Sequence, residues 1–242
     1  MPCVKNPHGG FVAGLTAANF RVLDNGRPQP ITVFDSGAAP VTFGSLLDES
    51  STMPNKPGGV IAATLSLIGQ SNPRDQMSIL HFNENVQRVL PDSMLFSDDI
   101  DQLHAALSRG LPQGRTALYD AVIAALEQLE LGRAGRKTLF LISDGEDTAS
   151  THKRRDMVEL VERSLATIYT IGLIDPYDPD RNPGVVEQLA HISGGEAFFP
   201  CDLGELQAAC RAIGREIRTR YTIGYVPQSE SVTIGYGRSV SK

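Results

Sequence analysis

The sequence has few cysteines, since only Cys3, Cys201 and Cys210 occur in its 242 residues. An odd and low count does not make a disulfide framework. A bridge between Cys201 and Cys210 stays open. However, Leu206, Cys210 and Ile213 fall at helical spacing, which predicts that Cys210 packs in a core as a small apolar side chain.

Basic residues are also in deficit, because 22 Lys and Arg face 28 Asp and Glu, for a formal charge of -6. This balance disfavours non-specific nucleic-acid binding and binding to an anionic membrane surface. No apolar run approaches ~18 residues, so we expect no transmembrane helix. Residues 1–10 lack an apolar stretch, so we expect no secretory signal in this chain. The compartment is therefore open, and a cytoplasmic location is not excluded.

What the sequence does contain, from Val41 on, is a regular alternation of short apolar runs and helical periodicity. Runs that are apolar on both faces and separated by helices are typical of a parallel sheet covered on both sides. We therefore predict an α/β fold with a doubly wound, mostly parallel central sheet flanked by helices, as in Rossmann-like proteins. The predicted strands are 41–47, 77–82, 137–142, 167–174, 197–199 and 221–226. The predicted helices are 60–68, 116–131, 156–165 and 203–220.

Residues 1–40 differ from the rest and predict a small β-hairpin appendage followed by a linker. Asn25-Gly26 separates the apolar run 20–24 from the run 31–34, and Asn-Gly in this position is a strong hairpin signal. The α/β domain is then expected over residues 41–227. Residues 228–242 are polar and rich in Gly and Ser, and they form a predicted C-terminal tail.

Three segments rich in oxygen-bearing side chains follow or precede the predicted strands. Asp48-Glu49-Ser50-Ser51-Thr52 follows the first sheet strand, Thr116 opens a helix, and Asp144 follows strand 137–142. The carboxyl ends of parallel strands share one edge of a sheet, where ligands bind at the point of reversed strand order. Carboxylates and hydroxyls without Cys or His suit a hard cation, Mg²⁺ best, with Mn²⁺ or Ca²⁺ as alternatives.

Each segment taken alone has a structural interpretation as well. Asp48-x-Ser50 and Thr116 resemble helix N-caps, and Asp144-Gly145 is a common turn. Their joint occurrence, in order and at strand ends, favours a metal site. Two neighbouring acids stay open: Asp147 as a contact near the site or as a cap, and Asp120 as a first-turn acid that the helix dipole favours.

The sequence lacks the motifs of common enzyme classes, including the nucleophile elbow, the Walker loop and His-Glu-x-x-His. The histidines are scattered, and His81 lies on an apolar strand, where we expect a core or edge residue. The expectation is therefore that the chain is not an enzyme. Two alternatives remain: a divalent-metal hydrolase in which Asp48 or Asp144 holds the ion and water, and a structural domain whose metal site is degenerate and empty.

The segments 46–53, 114–120 and 141–147 together resemble the von Willebrand factor type A domain, in particular a bacterial subgroup that is often secreted or envelope-associated. That family's metal-ion-dependent adhesion site combines Asp-x-Ser-x-Ser with a separate Thr and a separate Asp. The resemblance implies that Ser50, Thr52 and Thr116 touch the metal directly. It also implies that Asp48 and Asp144 act through water, while a partner protein's carboxylate takes the last position.

The sequence departs from the family pattern near each hydroxyl. Thr52 stands where Ser is usual and keeps the hydroxyl, Ser51 stands where Gly is common, and Glu49 adds a charge beside the site. Arg115 precedes Thr116, where it would attract a partner carboxylate or obstruct it. The hypothesis is a metal-dependent protein-binding module of unknown oligomeric state, with the N-terminus of the Thr116 helix favouring the incoming anion.

Overall fold

The computed structural model describes residues 4, 12–36, 39–51, 53, 57–91, 93–108, 113–175, 177 and 181–227. Cys3, Thr52, most of the acidic segment 175–180 and the predicted tail 228–242 therefore lie outside the described residues. No helix in the described part of the chain combines the length and apolar character needed to cross a bilayer.

The chain forms ten strands, six helices and one short 3-10 turn over the described residues. The strands are β1 (Val22–Asp24), β2 (Arg27–Gln29), β3 (Ile31–Asp35), β4 (Val41–Asp48), β5 (Gln76–Phe82), β6 (Val86–Arg88), β7 (Arg136–Ser143), β8 (Thr167–Gly172), β9 (Ala197–Phe198) and β10 (Thr222–Tyr225). The helices are α1 (Pro57–Ile68), α2 (Ile100–Leu107), α3 (Leu118–Glu130), α4 (Arg154–Arg163), α5 (Pro183–Ser193) and α6 (Leu203–Thr219).

The predicted central sheet is confirmed, with the strand order β6-β5-β4-β7-β8-β9. Every neighbouring pair is parallel except β5 and β6. From β4 the chain moves to β5 on one side and later returns to β7 on the other. The strand order therefore reverses between β4 and β7, which places their carboxyl ends at the usual ligand-binding edge of a doubly wound sheet.

The sheet is buried on both faces, as its continuous apolar runs predict. All residues of β4, β7 and β8 are buried. One face carries a core cluster that strand residues such as Leu46 and Leu141 form with Leu118 of α3, Met157 of α4 and Leu189 of α5. Removing this apolar surface from water provides the main free energy that fixes the strand ends in place.

The described residues divide into two compact units. One unit comprises Pro40–Gly214 and contains the central sheet, and the other combines residues up to Ala39 with those from Arg215 on. The second unit contains the hairpin β1–β2 and the antiparallel pair β3–β10. Asn25 and Gly26 both have positive φ values, 49° and 78°, which is the backbone that a two-residue hairpin turn requires.

An aromatic cluster fills the smaller unit. The rings of Phe20 and Phe34 lie 5.1 and 5.8 Å from the ring of Tyr221. The Tyr221 hydroxyl donates to Val12 O and accepts from Leu15 N, both at 3.0 Å. The phenol is thus buried with its polar end bonded, which lets a small β unit hold a core.

Two strand assignments differ from the prediction. The hairpin's second strand is Arg27–Gln29 and not the apolar run from Ile31, because the two-residue turn at Asn25-Gly26 sets Asp24 opposite Arg27. Pro28 is tolerated there because both strands of a two-stranded sheet are edges. The run near Tyr221–Val226 pairs with β3 as β10, outside the central parallel sheet.

The remaining helical and cysteine predictions have mixed outcomes. Helices α2 and α5 are present where no helix was predicted. Cys210 is buried, as predicted, and burial raises the pKa of its thiol to about 12. Cys201 and Cys210 are both free thiols, so the bridge between them is absent.

Candidate functional site

Asp48 ends β4 and is held from two sides. The Ser50 amide donates to Asp48 Oδ1 at 2.9 Å, and Ser143 Oγ donates to Asp48 Oδ2 at 2.6 Å. Ser143 is the last residue of β7, so this bond joins the ends of the two strands that flank the reversal of strand order. The carboxylate is therefore fixed at the point where a doubly wound sheet binds ligands.

The carboxyl group of Asp48 is buried and electrostatically strained. Burial raises its pKa from 3.8 to about 7; hydrogen bonds from Ser143 and Ser50 oppose the rise, and the charge of Asp144 adds to it. None of these three neighbours is a cation. Two buried acids close enough to interact are costly to ionise together, and a divalent cation would relieve this cost.

The loop after Asp48 is tied to the segment that precedes α3. Ser51 N and Ser51 Oγ both donate to Gly114 O, at 3.1 and 2.8 Å. Gln113 N donates to Glu49 O at 2.8 Å. These bonds bring Thr116 toward Asp48 and Ser50, which are far from it in sequence.

Thr116 is connected in turn to the segment after β7. Its carbonyl accepts from Thr148 N and Ala149 N, both at 2.8 Å, and its amide donates to Thr148 Oγ1 at 3.2 Å. Each of the three predicted segments is thus hydrogen-bonded to the other two. The structure brings Asp48, Ser50, Thr116 and Asp144 to one edge of the sheet.

The Thr116 hydroxyl has no hydrogen-bonding partner among the described residues, although the residue is only 1% exposed. The sequence had left a helix-capping role open for this residue. However, α3 begins at Leu118, and its N-cap is Ala117, which makes no side-chain cap bond. A buried hydroxyl without a partner costs free energy, and a ligand bound at this position would relieve that cost.

Asp144 follows β7 in a tight turn and is 1% exposed. Its Oδ1 accepts from Glu146 N at 2.9 Å, and its backbone carbonyl accepts from Asn182 N at 3.1 Å. The next residue, Gly145, has a φ of 84°, and a Cβ there would lie 2.1 Å from Asn182 O. Only glycine allows the backbone to turn this closely past Asn182.

The N-terminus of α3 is less available to an anion than the sequence suggested. Asp147 accepts from the Tyr119 and Leu118 amides, and Ser150 Oγ accepts from the Asp120 amide. The Ala117 amide donates to Asn83 O. The helix dipole still favours negative charge, but these first-turn donors are already bonded inside the protein.

Asp147 and Asp120 have separate structural roles. Asp147 caps α3 from a distant segment. Burial raises the pKa of Asp147 and the charge of Asp120 adds to the rise, while hydrogen bonds from Ser150, Tyr119 and Leu118 oppose it. Burial alone would raise the pKa of Asp120, but hydrogen bonds from Thr151 and His152 outweigh it and lower the pKa. His152 Nδ1 lies 2.8 Å from Asp120 Oδ1.

Ser143, Arg115 and Thr52 also bear on the site. Ser143 was not among the predicted site residues, although it orients Asp48; the parallel register of β4 and β7 is the signal that would have indicated it. Arg115 is exposed at the rim, where its Nε lies 4.0 Å from Glu84 Oε2 and its Nη1 donates weakly to Thr148 O at 3.4 Å. Thr52 lies outside the described residues, so its place at the site remains a prediction.

The donor set fits a hard cation. It offers two buried carboxylates and the hydroxyls of Ser50 and Thr116, and oxygen ligands of this kind suit Mg²⁺. The described residues contain no group of three or more His, Cys, Asp or Glu that would hold an ion by themselves. Hydroxyl oxygens would thus have to supply part of the coordination.

Comparison with known proteins agrees with the fold described above. A search of curated proteins finds no significant match. Among solved structures, the chain is similar to a von Willebrand factor type A protein from Catenulispora acidiphila, with a TM-score of 0.65 and 17% identity over 74% of this chain. The alignment spans only 43% of that longer protein.

Two further similar structures are shorter proteins. One is an aerotolerance-related membrane protein from Bacteroides fragilis, with a TM-score of 0.58 and 16% identity over 73% of this chain and 98% of that one. The other is the von Willebrand factor domain of the type V pilus tip protein Mfa5 from Porphyromonas gingivalis, with a TM-score of 0.60 and 14% identity over 74% of this chain and 95% of that one.

Likeness at such low identity shows the fold, and the family follows from the sequence itself. The model for the von Willebrand factor type A domain matches residues 45–211, which is more than half of the chain and includes every predicted metal-site residue. The matched residues contain the carboxyl ends of the central strands, the reversal of strand order and the convergent loops described above. This chain therefore belongs to the von Willebrand factor type A domain family.

Proposed function

We propose that this chain is a metal-ion-dependent protein-binding module that binds a carboxylate of a partner protein. The observation that carries the proposal is the buried hydroxyl of Thr116, which has no partner in the described part of the chain. It lies in a segment hydrogen-bonded to those that contain Asp48 and Asp144. The cation would be Mg²⁺, with Mn²⁺ or Ca²⁺ as alternatives. A bound cation supplies an electrophilic centre that attracts an external carboxylate.

Different residues of the chain would contribute differently to binding such an ion. Ser50 and Thr116 present hydroxyl oxygens, and Thr52 is proposed to add a third. Asp48 and Asp144 supply negative charge, and the hydrogen bonds to Asp48 keep its carboxylate oriented. Because both carboxylates are proposed to act through water, the direct ligands are uncharged hydroxyls, and the cation keeps its attraction for an external anion.

An acidic partner is the natural complement of such a site. The amides of the first turn of α3 are already bonded within the protein, so the ion and not these amides would bind the partner's carboxylate. Arg115 is exposed beside Thr116 and adds a positive charge at the rim. The proposed partner is thus a protein with an accessible Asp or Glu side chain.

The location is part of the same proposal, and the similar structures support it. One similar structure is a pilus tip protein and another is a membrane protein, both bacterial. We propose that this chain likewise acts outside the cytoplasm, in the cell envelope or as a secreted protein, in an adhesion-type interaction.

Metal dependence is tested by thermal melting with Mg²⁺ or Mn²⁺. A ligand that binds only the folded state raises the melting temperature by mass action. The rise should occur in the wild type and vanish in Asp144→Asn. The matched control is Asp75→Asn, which removes a buried carboxylate that accepts from Val41 N at the opposite ends of the strands. This control should melt lower but keep its response to the metal.

Partner binding is tested by capture on a surface that carries a Glu-containing peptide. Binding should require Mg²⁺, disappear with chelator and be competed by acetate. Capture that is indifferent to chelator would contradict the proposal. So would turnover of ester or phosphoester substrates that depends on Asp144, since it would indicate the alternative of a metal hydrolase.

A further inference from the structure

Glu49 is hydrogen-bonded through its backbone to the end of β5 and to the segment before α3, yet its side chain is turned away from the proposed ion site. Its amide donates to Phe82 O at 2.7 Å, and its carbonyl accepts from Gln113 N at 2.8 Å. It stands directly between Asp48 and Ser50 in the sequence. A third carboxylate is therefore present within a side chain's length of the proposed ligands.

The side chain of Glu49 is held by a buried histidine. Its Oε1 lies 2.6 Å from His81 Nδ1, and the two side chains are 18% and 2% exposed. The distance is that of a close polar contact, although neither ring nitrogen of His81 has a partner at hydrogen-bond angles among the described residues. A buried imidazole whose only close polar contact among the described residues is this carboxylate has a strong preference to keep it close.

The strand geometry explains why the two neighbouring acids diverge. Leu47 lies opposite His81 in the parallel register, and Glu49 follows two residues later, so it projects to the same face of the sheet as His81. Asp48 lies between them and projects to the other face, where Ser143 and Ser50 hold it. Adjacent carboxylates are thus held on opposite sides of one strand end.

We propose that His81 is a positioning residue that keeps Glu49 away from the metal site and so preserves a place for the partner's carboxylate. The inference rests on the proposed function, because it concerns the same ion. A third internal carboxylate would neutralise the cation further and occupy the position that an external acid needs. His81 thereby determines that the site binds an acid from another molecule instead of its own.

The test uses Mn²⁺ alone, followed by water-proton relaxation, which reports the affinity and the number of exchangeable waters on the ion. Acetate serves as the external carboxylate. His81→Phe keeps a ring of similar size but releases Glu49. This variant should bind Mn²⁺ about tenfold more tightly, because a released Glu49 adds a charged ligand and affinity for a hard divalent cation rises with ligand charge. It should also show fewer exchangeable waters and lose the effect of acetate.

The double variant His81→Phe/Glu49→Gln should return all three measurements to the wild-type values, because Gln carries no charge to offer the ion. A purely structural role of His81 would not be reversed by a change at Glu49. The single variant Glu49→Gln should match the wild type within about twofold. Glu49→Gln also tests the proposal if His81→Phe does not fold. A loss of Mn²⁺ affinity in Glu49→Gln would show that Glu49 is already a ligand and would overturn the proposal.

Other outcomes are equally decisive. If His81→Phe binds Mn²⁺ with the wild-type affinity and waters, or if the double variant does not reverse its effects, His81 does not position Glu49 in this way. If the wild type binds no Mn²⁺, the proposed function fails first and this inference fails with it. If the wild type binds Mn²⁺ and acetate while the variants do not behave as stated, only this inference fails.

Discussion

Ser143 donates a 2.6 Å hydrogen bond to Asp48 across 95 residues of sequence, and this bond connects the ends of the two strands at the switch point. We predict that Ser143→Ala lowers the free energy of unfolding by about 1 to 3 kcal/mol, because a buried carboxylate loses a donor. Urea denaturation measures the loss. The control Ser108→Ala removes an exposed hydroxyl that bonds its own helix, and it should change stability by less than about 0.5 kcal/mol.

The second prediction concerns pH and the raised pKa of Asp48. In the unfolded chain this group titrates near 3.8, and in the folded protein near 7. The folded state therefore binds the extra proton between these values, so Asp48 favours folding at low pH and this contribution is lost as the pH rises through about 7. The full difference corresponds to roughly 4 kcal/mol as an upper limit.

The measurement is the free energy of unfolding against pH in the presence of chelator. Asp48→Asn, which cannot ionise, should remove the decline between about pH 4 and pH 7. Stabilisation by Mg²⁺ should grow over the same range in the wild type, because the cation competes with the proton. Identical pH profiles for the wild type and Asp48→Asn would contradict the raised pKa.

The third prediction separates a ligand hydroxyl from a structural one. Thr116→Val removes a buried hydroxyl that no described residue bonds, so the metal-free protein should be equally stable or more stable by up to about 1 kcal/mol. Its response to Mg²⁺ should be lost. Thr64→Val is the matched control, since the Thr64 hydroxyl in α1 is also buried and unpartnered among the described residues.

Thermal melting with and without Mg²⁺ distinguishes the two variants. Thr64→Val should keep the full response to the metal, because it lies in a helix and not in a strand-end loop. An equal loss of response in both variants would mean that the effect comes from packing and not from coordination.

The fourth prediction compares two glycines with positive φ. Gly194→Ala places a side chain on a left-handed backbone with nothing within 4 Å, so it should cost only the conformational strain, about 1 to 2 kcal/mol. Gly145→Ala adds a collision with Asn182 O at 2.1 Å to a similar φ of 84°. It should therefore be clearly more destabilising and should also displace Asp144. Equal losses in chemical denaturation would show that the loop around Asn182 relaxes freely.

The central sheet was predictable because each of its strands carries its own signal. Continuous apolar runs such as β4 and β7 require cover on both faces, and that requirement alone leads to a doubly wound α/β fold. The family resemblance added the three convergent segments. The sheet order confirms the predicted fold and the matching family model confirms the family, while the metal-binding role of these segments stays a prediction.

The parts that escaped prediction depend on pairing between distant residues. The run at β10 has the composition of a strand, but nothing local states that its partner is β3. Ser143 became important only through its register beside Asp48, and the donors at the start of α3 are bonded by Asp147 and Ser150 from a segment about thirty residues later. Helix α2 comprises only Ile100–Leu107, which is too short for a clear helical periodicity of apolar residues.

The two outer strands of the central sheet have a consequence for how this domain associates with other molecules. β6 contains three residues and β9 contains two, so each outer margin exposes a short row of backbone groups. A foreign strand would find too few donors and acceptors to extend the sheet, which limits uncontrolled association at high local concentration.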